Sequence, residues 1–153
     1  MVVEIHEDLP LVEPGAAWIK QVWLPLLKWD YGTNWSVSPA FMVNTYKSGI
    51  VYRIPTDFTA IKNLFFIGWR EMTGMVTFTT RIRIGKCGLS WHLLDQIQVL
   101  NANMTNGILY CVDLVPIYAP FLDNLTVDDL IRIYIVQNTV ANTWMYGFDL
   151  RYT

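Results

Sequence analysis

Met75–Ile84 reads MVTFTTRIRI, and its period of two decides the fold. Val76, Phe78, Ile82 and Ile84 fall on one side of an extended chain, with Thr77, Thr79, Arg81 and Arg83 on the other. Successive side chains of a strand point to opposite faces, so one face is core and the other is wet. Working outward, Leu130–Gln137 repeats the pattern with Ile131, Ile133 and Ile135 inward. Trp144–Tyr152 sets Trp144, Tyr146, Phe148, Leu150 and Tyr152 against Met145, Gly147, Asp149 and Arg151. Phe41–Tyr46 and Ile50–Ile54 flank Lys47-Ser48-Gly49, which reads as a hairpin connection. Leu64–Trp69 and Ile108–Val115 are apolar on nearly both faces, and such strands need cover on both sides. Residues 89–104 suit a strand through Leu89, Trp91, Leu93, Ile97 and Val99, and a helical turn through Leu93, Leu94, Ile97 and Leu100; strand is the preferred reading. About eight strands separated by Pro, Gly, Asn and Asp predict an all-β, antiparallel sandwich or barrel.

The chain has 153 residues, of which 53% are hydrophobic, 14% aromatic and only 16% charged. That length suits one domain, and the composition excludes intrinsic disorder. Eleven basic against 13 acidic residues leave a net charge of -2, without the cationic footprint of a nucleic-acid binder. Residues 1–15 hold four acids (Glu4, Glu7, Asp8, Glu13) and no Lys or Arg, which leaves residues 16–153 at +2. With Pro10, Pro14 and Gly15, the first fifteen residues read as an extended acidic arm, mobile or lying along a partner, ahead of a single domain over 16–153. No apolar run approaches the roughly 20 residues of a membrane-spanning helix, so no membrane insertion is expected. No export signal is legible, and Cys87 and Cys111 read as reduced thiols. A mean hydropathy of +0.28 is more apolar than one small core absorbs, which predicts self-association.

Several stretches resemble the small jelly-roll structural proteins of tailed bacteriophages and related viruses. Trp23-Leu24-Pro25-Leu26 is similar to their leader, and Tyr52-Arg53-Ile54-Pro55-Thr56-Asp57-Phe58 to a Tyr-x-(Val/Ile)-Pro-x-Asp-Phe entry. Leu64–Trp69 resembles the apolar strand that follows. Leu122–Tyr134 resembles a Leu-x-x-Leu-x-x-Gly-Asp element, with Asp128 standing where that pattern has glycine, and Met145–Tyr152 resembles the closing strand. Together these cover about a third of the chain. The resemblance implies a two-sheet jelly roll that assembles as a homotrimer and serves in the virion, after synthesis in the host cytoplasm, as a decoration, fibre or attachment component. It implies other virion proteins as partners, and no enzyme chemistry or cofactor.

Among candidate sites, Trp29, Tyr31 and Trp35 crowd a polar stretch and offer platforms for a sugar ring, with Asp30 and Asn34 for its hydroxyls. A carbohydrate-binding module is therefore the alternative function, with a surface glycan as partner; closing one end of the barrel is the plainer role for these rings. Leu64, Phe66 and Trp69, with Arg81 and Arg83 on the wet face of their strand, are the candidate subunit interface. The arginines, next to Lys86, are placed to meet a neighbour's acidic arm. Metal binding is not expected: His6 and His92 are the only histidines, and Cys87 with His92 makes half a site. Asp123, Asn124, Asp128 and Asp129 suit turns better than calcium. Ser90, His92 and Asp95 make no triad, because alternation sends Asp95 to the face opposite the other two.

Overall fold

A computed structural model describes residues 1–3, 19–25, 27–28, 40–42, 47–91, 93–138 and 143–153. Its strands are β1 (Lys20–Pro25), β2 (Leu27–Lys28), β3 (Ala40–Met42), β4 (Lys47–Arg53), β5 (Ile61–Arg70), β6 (Gly74–Gly85), β7 (Leu94–Met104), β8 (Leu109–Asp113), β9 (Leu130–Gln137) and β10 (Thr143–Tyr152), with one helix, α1 (Val115–Leu122), after β8. Two antiparallel sheets form a β-sandwich. One runs β1-β10-β5-β8, with β3 also on β10; the other runs β2-β4-β9-β6-β7.

The alternation of MVTFTTRIRI is realised in full. Val76, Phe78, Ile82 and Ile84 are buried, joined by Ile131, Ile133 and Ile135 of β9. From the facing sheet Leu64, Phe66, Tyr110, Val112, Phe148 and Leu150 enter the same core. Phe66 meets Phe78 edge-on across the layers at 5.5 Å between ring centroids, and meets Tyr110 at 5.9 Å. Such edge-to-face pairs add to the gain from burial alone. Thr80, also inward, is kept satisfied by α1: the Tyr118 hydroxyl donates to the Thr80 carbonyl at 2.8 Å and lies 2.7 Å from the Thr80 hydroxyl. Burial pushes the Tyr118 phenol up to about 12.

Four readings of the sequence need correction. Lys47-Ser48-Gly49 is not a hairpin turn: it opens β4, pairing with Val136, Ile135 and Tyr134 of β9, while β3 pairs with β10 in the other sheet. Gly49 is there for close approach, since a Cβ would sit 2.7 Å from the Ile133 carbonyl oxygen. In β10 the strict alternation fails at a bulge between Met145 and Gly147, which puts Met145 into the core beside Phe148 and leaves Trp144 and Tyr146 only half-buried. The apolar run from Ile108 ends as strand at Asp113, and Val115 begins a helix that alternation does not show. Asp113 explains the change: its Oδ1 accepts the Val115 N–H at 3.0 Å, capping the helix from one residue further out than usual, and also the Leu64 N–H at 3.1 Å. In residues 89–104, strand prevails from Leu94 onward, while Leu89 N–H bonds to Lys86 and Leu93 N–H to Ser90 in turns.

The segments 52–58, 122–134 and 145–152 converge at one end of the sandwich. The Ile54 N–H donates to the Asp129 carbonyl at 2.8 Å and the Asp128 N–H donates to the Ile54 carbonyl at 3.1 Å. Phe58 packs on Tyr152 at 5.8 Å. Asp128 has φ 65, the left-handed region, and no other non-glycine among the described residues has a positive φ. Of the expected arm, residues 4–15 lie outside the described residues; Met1–Val3 lie beside β7, where the Asn101 N–H donates to Met1 at 2.8 Å and the Val3 N–H to Asn101 at 3.0 Å.

Candidate interaction surface

The wet face of the β2-β4-β9-β6-β7 sheet carries the densest chemistry among the described residues, and register builds it row by row. Val51, Arg132, Arg83 and Asp95 lie abreast across β4, β9, β6 and β7; the next row is Gly49, Tyr134, Arg81 and Ile97, and the one beyond brings Val136, Thr79 and Val99 together. All of them alternate with core residues, so the pleat that buries Ile82, Ile84, Ile131 and Ile133 also sets this face.

Asp95 is the electrostatic centre. Arg81 Nε donates to its Oδ1 at 2.7 Å, Arg81 Nη2 pairs with Oδ2, and Arg83 Nε donates to Oδ2 at 3.0 Å. The Arg81 hydrogen bonds, helped by Arg83, hold the Asp95 carboxyl below its ordinary value of 3.8. Arg81 and Arg83 therefore face an acid of their own chain, and the charge left to offer a partner is smaller than the sequence implies. Lys86 leaves the strip altogether: its Nζ donates to Thr126 Oγ1 at 2.9 Å and to Asp129 Oδ2 at 2.5 Å. Beside the arginines, Tyr134 lies under Arg132, whose guanidinium carbon is 4.3 Å from the ring centroid, a cation–π distance. Around this polar patch stand apolar side chains in water: Val51 is 57% exposed, Ile97 51%, Val99 50% and Met75 48%. Paired charge ringed by exposed aliphatics suits a protein surface, because the aliphatics gain from burial and the arginines arrive with their carboxylate supplied.

The remaining candidates scatter. Leu64 and Phe66 are wholly inside the core between the sheets, so a second copy of the folded chain cannot reach them; in β5 the two apolar faces serve two layers of the same chain. Trp69 is half-buried and lies opposite Trp144 and Leu109. Trp29, Tyr31 and Trp35 lie outside the described residues, as does His92. Asp95 is held by Arg81 and Arg83. In the Asp123–Asp129 stretch, Asn124 Nδ2 donates to the Phe121 carbonyl at 2.9 Å, Asp129 Oδ2 accepts the Thr126 N–H at 2.8 Å, and Asp128 pairs with Arg53 at 3.1 Å. Asp129 Oδ2 is thus committed to the turn, and Asp128 to Arg53. Cys87 and Cys111 are both free thiols, the first exposed and the second buried.

Arg132 and Tyr134 are the functional candidates that the sequence reading passed over. Their signal was present: they fill the alternate positions of Ile131, Ile133 and Ile135, and residues opposite a buried face are the ones a partner meets. No family model matches the chain, and no curated protein matches it.

Proposed function

We propose that this chain is a structural protein of a virus particle, a jelly roll that associates with copies of itself as a decoration, fibre or attachment component. The observation that carries the fold half of the reading is the pairing scheme. Setting aside the two shortest strands, the eight that remain pair first with last (β1·β10), second with seventh (β4·β9), third with sixth (β5·β8) and fourth with fifth (β6·β7). A chain doubled into one long antiparallel ribbon makes these pairs. Rolling the ribbon adds β10·β5 and β9·β6, which are also present. These pairs are the ones the double Greek-key logic of a jelly roll calls for, and they support that reading. Asp128 adds to it, since its left-handed backbone falls where the resembling viral pattern has glycine.

Self-association is supported by the exposed aliphatics of the β2-β4-β9-β6-β7 face, because apolar side chains grouped on one surface favour association. Light scattering at micromolar concentration tests it: a stable multiple of 17.7 kDa is the expected result. A clean monomer overturns it. The virion assignment is tested by the neighbouring genes; portal, capsid or tail proteins beside this one support it, and a purely metabolic neighbourhood overturns it.

A further inference from the structure

The β7 strand is the outermost of its sheet, and it lacks the devices that keep an edge from pairing. Its eleven pairs with β6, Gly74↔Met104 through Ile84↔Leu94, run without a register shift, so no bulge twists the edge away. It contains no proline and no lysine, and its wet face shows Ile97 and Val99 half-exposed beside Leu93 in the turn before it. Natural edge strands are protected by such charges, prolines or bulges, and a long flat apolar edge without them pairs with another strand.

The direction of its free hydrogen-bonding groups is fixed by Met1–Val3. Asn101 directs both groups outward, its N–H donating to the Met1 carbonyl and its C=O accepting from the Val3 N–H, and in an antiparallel pair that direction repeats at every second residue. Asp95, Ile97 and Val99 therefore also aim their backbone groups away from β6. Residues 1–3 satisfy Asn101 alone. They reach this edge as an isolated parallel bridge, and among the described residues the Asp95–Val99 length has no outer neighbour.

We infer that this open length is a strand-addition seam for a second copy of the same chain, β7 lying antiparallel to β7 about a two-fold axis at Ile97. The set is self-complementary. With Ile97 opposite Ile97, Asp95 faces Val99 twice, each of the three outward residues gains a backbone partner, and the side chains of Ile97 and Val99 form one apolar strip across the join. Asp95 enters already neutralised by Arg81 and Arg83, so no unpaired charge is carried to the seam. Two five-stranded sheets become one continuous sheet. The seam rests on the self-association proposed above but names its surface and symmetry.

The test compares sedimentation of the wild-type chain with Ile97→Lys, and cross-linking of Ile97→Cys in a Cys87→Ser background with a short bis-maleimide. The expected result is a wild-type mass that is an even multiple of 17.7 kDa, halved in Ile97→Lys with its thermal melt retained. A covalent dimer should form through Cys at 97, and none through Cys at 51 on the far side of the same face. A wild-type assembly whose mass is unchanged by Ile97→Lys and which gives no cross-link at 97 overturns the seam and leaves self-association standing. A wild-type monomer overturns both.

Discussion

On the outer face of the β1-β10-β5-β8 sheet, Phe65, Ile67 and Cys111 form a second apolar cluster, at most 5% exposed, and beside them even Asp149 and Arg151 are buried. On the outer face of the other sheet, Val51, Ile97 and Val99 stand in water. Both sheets carry an apolar excess on the side away from the shared core, so composition alone cannot say which excess a partner must hide. Self-coverage can: the first is buried within a single chain, and the second is left exposed. The electrostatics follow the same division. Arg151 Nε donates to Asp149 Oδ2 at 3.1 Å with both side chains out of solvent and the guanidinium carbon 5.2 Å from the centre of the Phe65 ring, whereas Arg81 bonds Asp95 with about a third of its own side chain in water.

That contrast is most easily broken by truncation on the buried side. Phe65→Ala should cost about 3–5 kcal/mol, the range for a large aromatic removed from a packed site, read as a fall in the urea midpoint; a loss under about 1 kcal/mol would mean that this face is not packed. Asp149→Ala should cost a similar amount, about 3–5 kcal/mol, because it removes a carboxylate paired with the buried Arg151 guanidinium; restoring most of that by adding Arg151→Met would confirm that desolvation is the cause. On the exposed sheet, Asp95→Asn should cost about 1–3 kcal/mol, the value of hydrogen bonds to a charged group. Its pH dependence has a definite sign. A carboxyl held below its ordinary 3.8 stabilises the fold above that value, and the contribution disappears as pH falls from 3.8 through the lower folded value. Wild type and Asp95→Asn should therefore differ at pH 7 and draw together in acid; a gap that does not narrow as the pH falls below 3.8 refutes the charge-based account. Smallest of all, Val51→Ser should move the stability of the dispersed chain by no more than about 0.5 kcal/mol, and a larger loss would show that Val51 is covered.

Much of this architecture was legible because a pleat writes itself as alternation. In β6 and β9 each apolar inward residue could be named from the sequence, since regular pairing leaves nothing to perturb the period, while the inward Thr80 and Gln137 were passed over. Where local geometry intervenes the pattern misleads. One bulge at Tyr146 moves Met145 to the inside, and Gly49 looks like a turn because glycine serves close approach as readily as reversal. The helix was hidden by Pro120, which normally breaks a helix, and by a cap supplied through Asp113 in place of Leu114. The surface was harder still. Arg81 and Arg83 were visible as a basic strip, but their partner Asp95 sits on the next strand, and only register reveals that the strip is largely self-neutralised.

The pairing of β1 with β10 carries a consequence for how the molecule is made. Lys20 and Tyr152 are partners although 132 positions separate them, and β10 sits between β1 and β5. A ribosome delivers β10 after every other strand of that layer, so β1 and β5 wait for the neighbour they share. Such long-range closure is slow. Until the last strand arrives the nascent polypeptide depends on dilution or a chaperone to avoid premature association.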